Sequence, residues 1–205
     1  MTLKGIVQEI FHYFTHLDHG FPFTLKKLLF SPGVMQKEYV AGLRNKYQKP
    51  FSMFFICASV AALLLYIINL TLVNNFGTGD REEALFFQKY WVALQVAMFP
   101  IFASITYLFF YNTRYNFAEI IILQLYTFAM IFILLTVIHL LKFINSDLQT
   151  RYIELPVVIY YTIITNLHFF DRSSKYLTII KTIFVIAISF FIASSIQDFL
   201  VDRYM

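Results

Sequence analysis

Apolar residues gather in five long runs, near 51–73, 90–111, 117–141, 153–170 and 176–199, separated by short polar stretches. Each run is about as long as a helix must be to cross ~30 Å of hydrocarbon, near 20 residues at ~1.5 Å per residue. The pattern predicts an all-α integral membrane protein with about five transmembrane helices over 51–205. Residues 1–50 precede them as an amphipathic, basic segment of helices at the cytoplasmic interface. The fourth run is the weakest span: Tyr152 to Phe170 is only just long enough, and Pro156 lies near its start, where a missing N–H costs little. If it were re-entrant, the C-terminus would change sides.

Within the first fifty residues the period changes. Leu3, Ile6, Val7, Ile10, Phe11, Phe14 and Leu17 recur at helical spacing, with Lys4, Gln8 and Thr15 opposite. Gly20 and Pro22 then read as a break. Thr24 is expected to cap a short turn, Leu25–Phe30. Ser31 reads as an N-cap with Pro32 at the first helical position, opening a second amphipathic helix to about Tyr47. Such a stretch beside a span lies in the headgroup plane, where Lys37, Arg44, Lys46 and Lys49, with Tyr39 and Tyr47, would meet anionic lipid. These six residues are the candidate lipid- or partner-binding site.

Composition agrees with a lipid solvent: 59% of residues are hydrophobic and only 14% charged, where a soluble domain carries roughly 25% charge. The single cysteine, Cys57, excludes an intrachain disulfide and a thiolate metal cluster. Residues 1–24 carry no apolar core of a secretory signal, so the first span is expected to direct insertion.

Charge orients the chain. With an inner N-terminus, Lys4, Lys26, Lys27, Lys37, Arg44, Lys46, Lys49, Arg114, Arg172, Lys175 and Lys181 fall inside, leaving Arg81, Lys89, Lys142, Arg151 and Arg203 outside. The Lys/Arg bias sets topology, which places the N-terminus in the cytoplasm and the C-terminus on the outer side. Glu119 and Lys181 both lie near the inner ends of their runs and are candidates for an intramembrane polar pair; the alternative is that each reaches the interface separately. His139, Asn166 and His168 read as interfacial. Pro100 should kink the second span. Ala58/Ala62, Ala93/Ala97 and Ser189/Ala193 could pack helices within the bundle or between copies.

Candidate chemistry is sparse. His12, His16 and His19 share one helical face and could ligate a metal, yet only His139 and His168 exist besides, so hydrogen bonding at the interface is the better reading. Cradling glycine loops, nucleophile elbows and His-Glu-x-x-His are missing. No cofactor is implied. The positive charge follows topology and forms no nucleic-acid-binding face.

The stretch His16-Leu17-Asp18-His19-Gly20, Thr24-Leu25, Leu28-Leu29, Ser31-Pro32-Gly33, Tyr39, Gly42, Arg44, Tyr47 and Pro50 resembles the bacterial membrane family known as domain of unknown function 3667. Tyr115-Asn116-Phe117-Ala118-Glu119 resembles that family's aromatic-Ala-Glu-His pattern. The chain departs at Leu43, where the family often has Lys, and at Ile120, where it has His. Many members carry an N-terminal zinc ribbon, which is not expected here because this sequence holds no Cys-x-x-Cys. The resemblance implies a bacterial inner-membrane setting and no known activity. Three functions remain open: a non-enzymatic protein binding membrane lipid or a protein partner, with self-association possible; a small oligomeric pore or transporter; and a lipid-modifying enzyme using Glu119, Arg44 and the histidine face.

Overall fold

A computed structural model describes residues 20–77, 91–146 and 148–204. Among them every regular element is helical: α1 (Gly20–Phe30), α2 (Val34–Val40), α3 (Pro50–Phe76), α4 (Trp91–Phe110), α5 (Phe117–His139), α6 (Arg151–Phe169) and α7 (Lys175–Tyr204), with a 3₁₀ turn at Leu140–Phe143. Helices α3, α4, α5 and α7 are long and apolar enough to cross a membrane. The chain is an all-α integral membrane protein.

Helix boundaries follow local chemistry. Pro50 starts α3, where its absent N–H would be unpaired anyway, and Gly77 ends it in the left-handed region at φ 62°. Asn116 caps α5 by accepting from the Glu119 amide at 3.0 Å, while the Glu119 carboxylate accepts from the Asn116 amide at 2.8 Å. This reciprocal pair is a capping box.

α5 is the central helix, contacting α1, α2, α3, α4 and α6. Against α4 it runs antiparallel: Gln124 donates to the Thr106 hydroxyl at 2.7 Å, and Phe128 stacks on Phe102. Phe54 of α3 meets both Phe99 and Phe132, and Ala58, Ala61 and Ala62 are buried in the same cluster. Ala58/Ala62 therefore pack within the bundle, while Ala93 and Ala97 are exposed. Pro100 lies inside α4, and the Ser104 hydroxyl donates to its carbonyl at 2.7 Å.

α6 is not among these apolar spans, and its polar groups are bonded within the helix and to neighbours. The Thr162 and Thr165 hydroxyls bond back to carbonyls one turn earlier, and Asn166 donates to Thr182 of α7 at 3.0 Å. At its start Glu154 lies 3.3 Å from His139 at the end of α5; at its finish the Tyr115 hydroxyl, just before α5, donates to the Phe169 carbonyl at 3.1 Å. α6 thus runs antiparallel to α5 along the bundle.

The N-terminal segment differs from the sequence expectation. Gly20 and Pro22 lie in the first turn of α1, and the helix they were expected to end lies outside the described residues. Ser31 and Pro32 lie in a turn, Gly33 is the N-cap, and α2 ends at Val40 rather than near Tyr47. Gly42, at φ 104°, turns the chain back on itself. The helix expected over Leu3–Leu17, and His12, His16 and His19 with it, lie outside the described residues.

Candidate functional site

Residues 20–49 form a folded collar, held against α5 and α6 chiefly through backbone carbonyls. The Tyr161 hydroxyl donates to the Leu28 carbonyl at 3.1 Å, satisfying one of the last-turn acceptors of α1. The Tyr126 hydroxyl donates to the Gln48 carbonyl. His168 Nδ1 meets the Pro32 carbonyl at 2.9 Å. Within the collar, Thr24 accepts from the Gln48 amide at 2.8 Å, and Gln36 accepts from the Gly33 amide at 2.6 Å. Thr24 is fully buried, so it ties the two ends of the collar together and does not cap Leu25–Phe30.

Gly33 is required twice over. Its φ is 78°, and a Cβ there would lie 2.2 Å from the Thr165 carbonyl oxygen. Only glycine lets the turn approach the α6 backbone this closely.

Tyr39 and Tyr47 face inward. They are 8% and 5% exposed and pack with Leu28, Met35, Met53, Cys57, Tyr126 and Tyr161. They are not headgroup contacts, because the turn at Gly42 folds them onto α5, where Tyr39 meets Tyr126 edge-on at 5.4 Å. The Tyr47 hydroxyl donates to the Glu38 carboxylate, and Lys46 joins the same oxygen at 3.1 Å. The Tyr47 bond, aided by Lys46, holds the Glu38 carboxyl below its ordinary range, and burial raises the Tyr47 phenol.

The four basic residues proposed from sequence divide into two pairs. Lys37 bonds Asp171 at 2.6 Å, joining α2 to the α6–α7 turn and holding the Asp171 carboxyl below its ordinary range. Lys46 is engaged with Glu38. Arg44 lies over the Tyr39 ring at 5.7 Å with its side chain exposed, and Lys49 is exposed. Lys26 and Lys27, which the sequence reading used only for orientation, stand on α1 beside exposed Phe23, Leu29 and Phe30.

Glu119 and Lys181 do not pair. Glu119 is occupied by the α5 cap, and the Lys181 ammonium lies over the Phe110 ring at 5.5 Å. The cap was legible as Asn116-x-x-Glu119. Ile120, where the family has His, is fully buried with Phe110, Tyr115 and Leu123. Among the described residues no three His, Cys, Asp or Glu side chains gather as metal ligands.

The fold and collar define a helical membrane protein with a docked basic segment at one end. Residues 18–61 match the family described as Protein of unknown function (DUF3667), the family its motifs resemble. The matched stretch is the collar with the first part of α3. No curated protein and no solved structure matches the chain.

Proposed function

We propose that this protein is a non-enzymatic membrane protein whose collar is a fixed platform for anionic lipid, set on the cytoplasmic side of a bacterial inner membrane. One observation carries this reading. The collar is anchored to α5 and α6, yet it leaves Phe30 73%, Leu29 45% and Val34 40% exposed beside Lys26, Lys27, Arg44 and Lys49, which form no salt bridge among the described residues. Exposed apolar side chains alternating with basic ones suit the boundary between acyl chains and headgroups. Each cation near an anionic surface contributes roughly 1 kcal/mol. The Lys/Arg bias supports the cytoplasmic assignment.

The test is lipid selection. The full chain is placed in nanodiscs of mixed phosphatidylglycerol and phosphatidylcholine, and the lipid retained on extraction is quantified. The wild type should enrich phosphatidylglycerol. Changing Lys26, Lys27, Arg44 and Lys49 together to Gln should abolish the enrichment, while Lys142→Gln at the opposite end should preserve it. A wild type without enrichment, or equal losses in both variants, rejects the platform.

A further inference from the structure

A second polar feature stands apart from the collar, where the end of α4 meets the start of α7. There Phe110, Asn112, Ser174, Thr178 and Lys181 line a cleft with a cavity volume of about 210 Å³, several times the ~30 Å³ share of one water. Its wall includes the N-terminal end of a 30-residue helix with no acidic residue in its first turn. The positive end of the helix dipole is therefore uncompensated by side chains of that turn.

Thr178 supplies the independent sign. Several hydroxyls of this bundle bond back to a carbonyl one turn earlier, as Thr106, Thr127 and Thr165 do. Thr178 is only 1% exposed, lines the cleft, and its Oγ1 has no hydrogen-bond partner among the described residues. A buried hydroxyl without a partner costs about 1–3 kcal/mol, so such groups are normally matched. Lys181, one turn further on, has no carboxylate partner among the described residues and is held against Phe110. Asp171, the acid of the adjoining turn, is already bonded to Lys37.

We propose that this cleft binds a phosphate group, carried by a lipid headgroup or free in solution. Thr178 Oγ1 and the Lys181 ammonium would donate to its oxygens, and the α7 N-terminus would stabilise its charge. The site is independent of the collar platform, and its variants leave the collar intact.

The experiment measures thermal stabilisation of the purified full chain in a neutral detergent. Dihexanoyl phosphatidic acid, inorganic phosphate and chloride are titrated at matched ionic strength. Saturable stabilisation by phosphatidic acid alone assigns a headgroup; saturable stabilisation by inorganic phosphate alone assigns a soluble source. In either case Lys181→Met should weaken Kd about tenfold or more, and Thr178→Val about three- to tenfold, as expected for charged and neutral hydrogen bonds. Thr178→Val keeps the side-chain shape and carries the test alone if Lys181→Met does not fold. A wild type that responds to phosphate no more than to chloride, or a Thr178→Val protein with unchanged Kd, overturns the proposal.

Discussion

His168 Nδ1 lies 2.9 Å from the carbonyl oxygen of Pro32, 136 residues earlier in the chain. A histidine at the end of α6 thereby holds the turn that separates α1 from α2. The Tyr161 hydroxyl, two turns back on α6, holds the Leu28 carbonyl at the end of α1. Each such bond should contribute about 1 kcal/mol. Tyr161→Phe and His168→Ala should each speed limited proteolysis within residues 20–49, and the double variant should be more labile than either. Cleavage rates equal to wild type in the double variant would remove α6 as the collar's anchor.

Gly33 and Gly42 offer a graded comparison. Both have positive φ, but a Cβ at Gly42 meets nothing within 4 Å, whereas at Gly33 it runs into the α6 backbone. Gly42→Ala should cost about 1–3 kcal/mol of backbone strain. Gly33→Ala carries that strain plus a clash that only separation of α2 from α6 relieves, so its melting temperature in detergent should fall further. A Gly33→Ala protein as stable as Gly42→Ala would contradict the close approach.

Asn69 of α3 is fully buried, and neither polar atom of its side chain has a hydrogen-bond partner among the described residues. Replacement by an apolar residue of similar size removes the desolvated amide, a change of about 1–3 kcal/mol in favour of folding. Asn69→Leu should therefore raise the melting temperature. A clear drop would assign the amide a polar partner in the assembled protein.

Acid should loosen the collar. Lys37 and Tyr47 hold Asp171 and Glu38, respectively, below the ordinary carboxylate range. For depressed carboxylates the stabilisation is present above the unfolded-state pKa and is lost as pH falls through the lower folded-state value. Proteolysis or hydrogen exchange of residues 20–49 should thus rise only below the ordinary carboxylate range. In Asp171→Asn part of that pH dependence should vanish. Both groups are solvent-accessible, so the effect is modest.

Because Glu119 caps α5 while Lys181 rests on Phe110, their stability effects should be independent. Glu119→Gln and Lys181→Met should add within ~0.5 kcal/mol in a double-mutant cycle. A coupling well above that would restore the ion pair that their positions in sequence suggested.

The long helices were legible because lipid imposes one simple rule, a run of about 20 apolar residues, and Pro50 and Gly77 mark their ends with local chemistry. The collar was not. Amphipathic spacing assumes one apolar and one aqueous side, but residues 20–49 pack onto α5 and α6 and still leave Leu29, Phe30 and Val34 exposed. Spacing alone therefore points Tyr39 and Tyr47 to headgroups, whereas their partners are Tyr126 and Glu38. Glu119 was read as a charge in hydrocarbon, although Asn116 three residues before it spelled a cap. Thr178 carried no sequence signal at all; its missing partner is visible only once α4 and α7 are side by side.

The carbonyls of Leu28 and Pro32 wait for hydroxyl and imidazole groups made 133 and 136 residues later. At ~5–20 residues per second of synthesis, that delay is roughly 7–27 s. Until α6 emerges, the turn at Pro32 and the end of α1 lack these two bonds, although the residues that form them precede α3 in the chain. A segment that precedes α3 in the chain is thus fixed at these two points only once α6 exists.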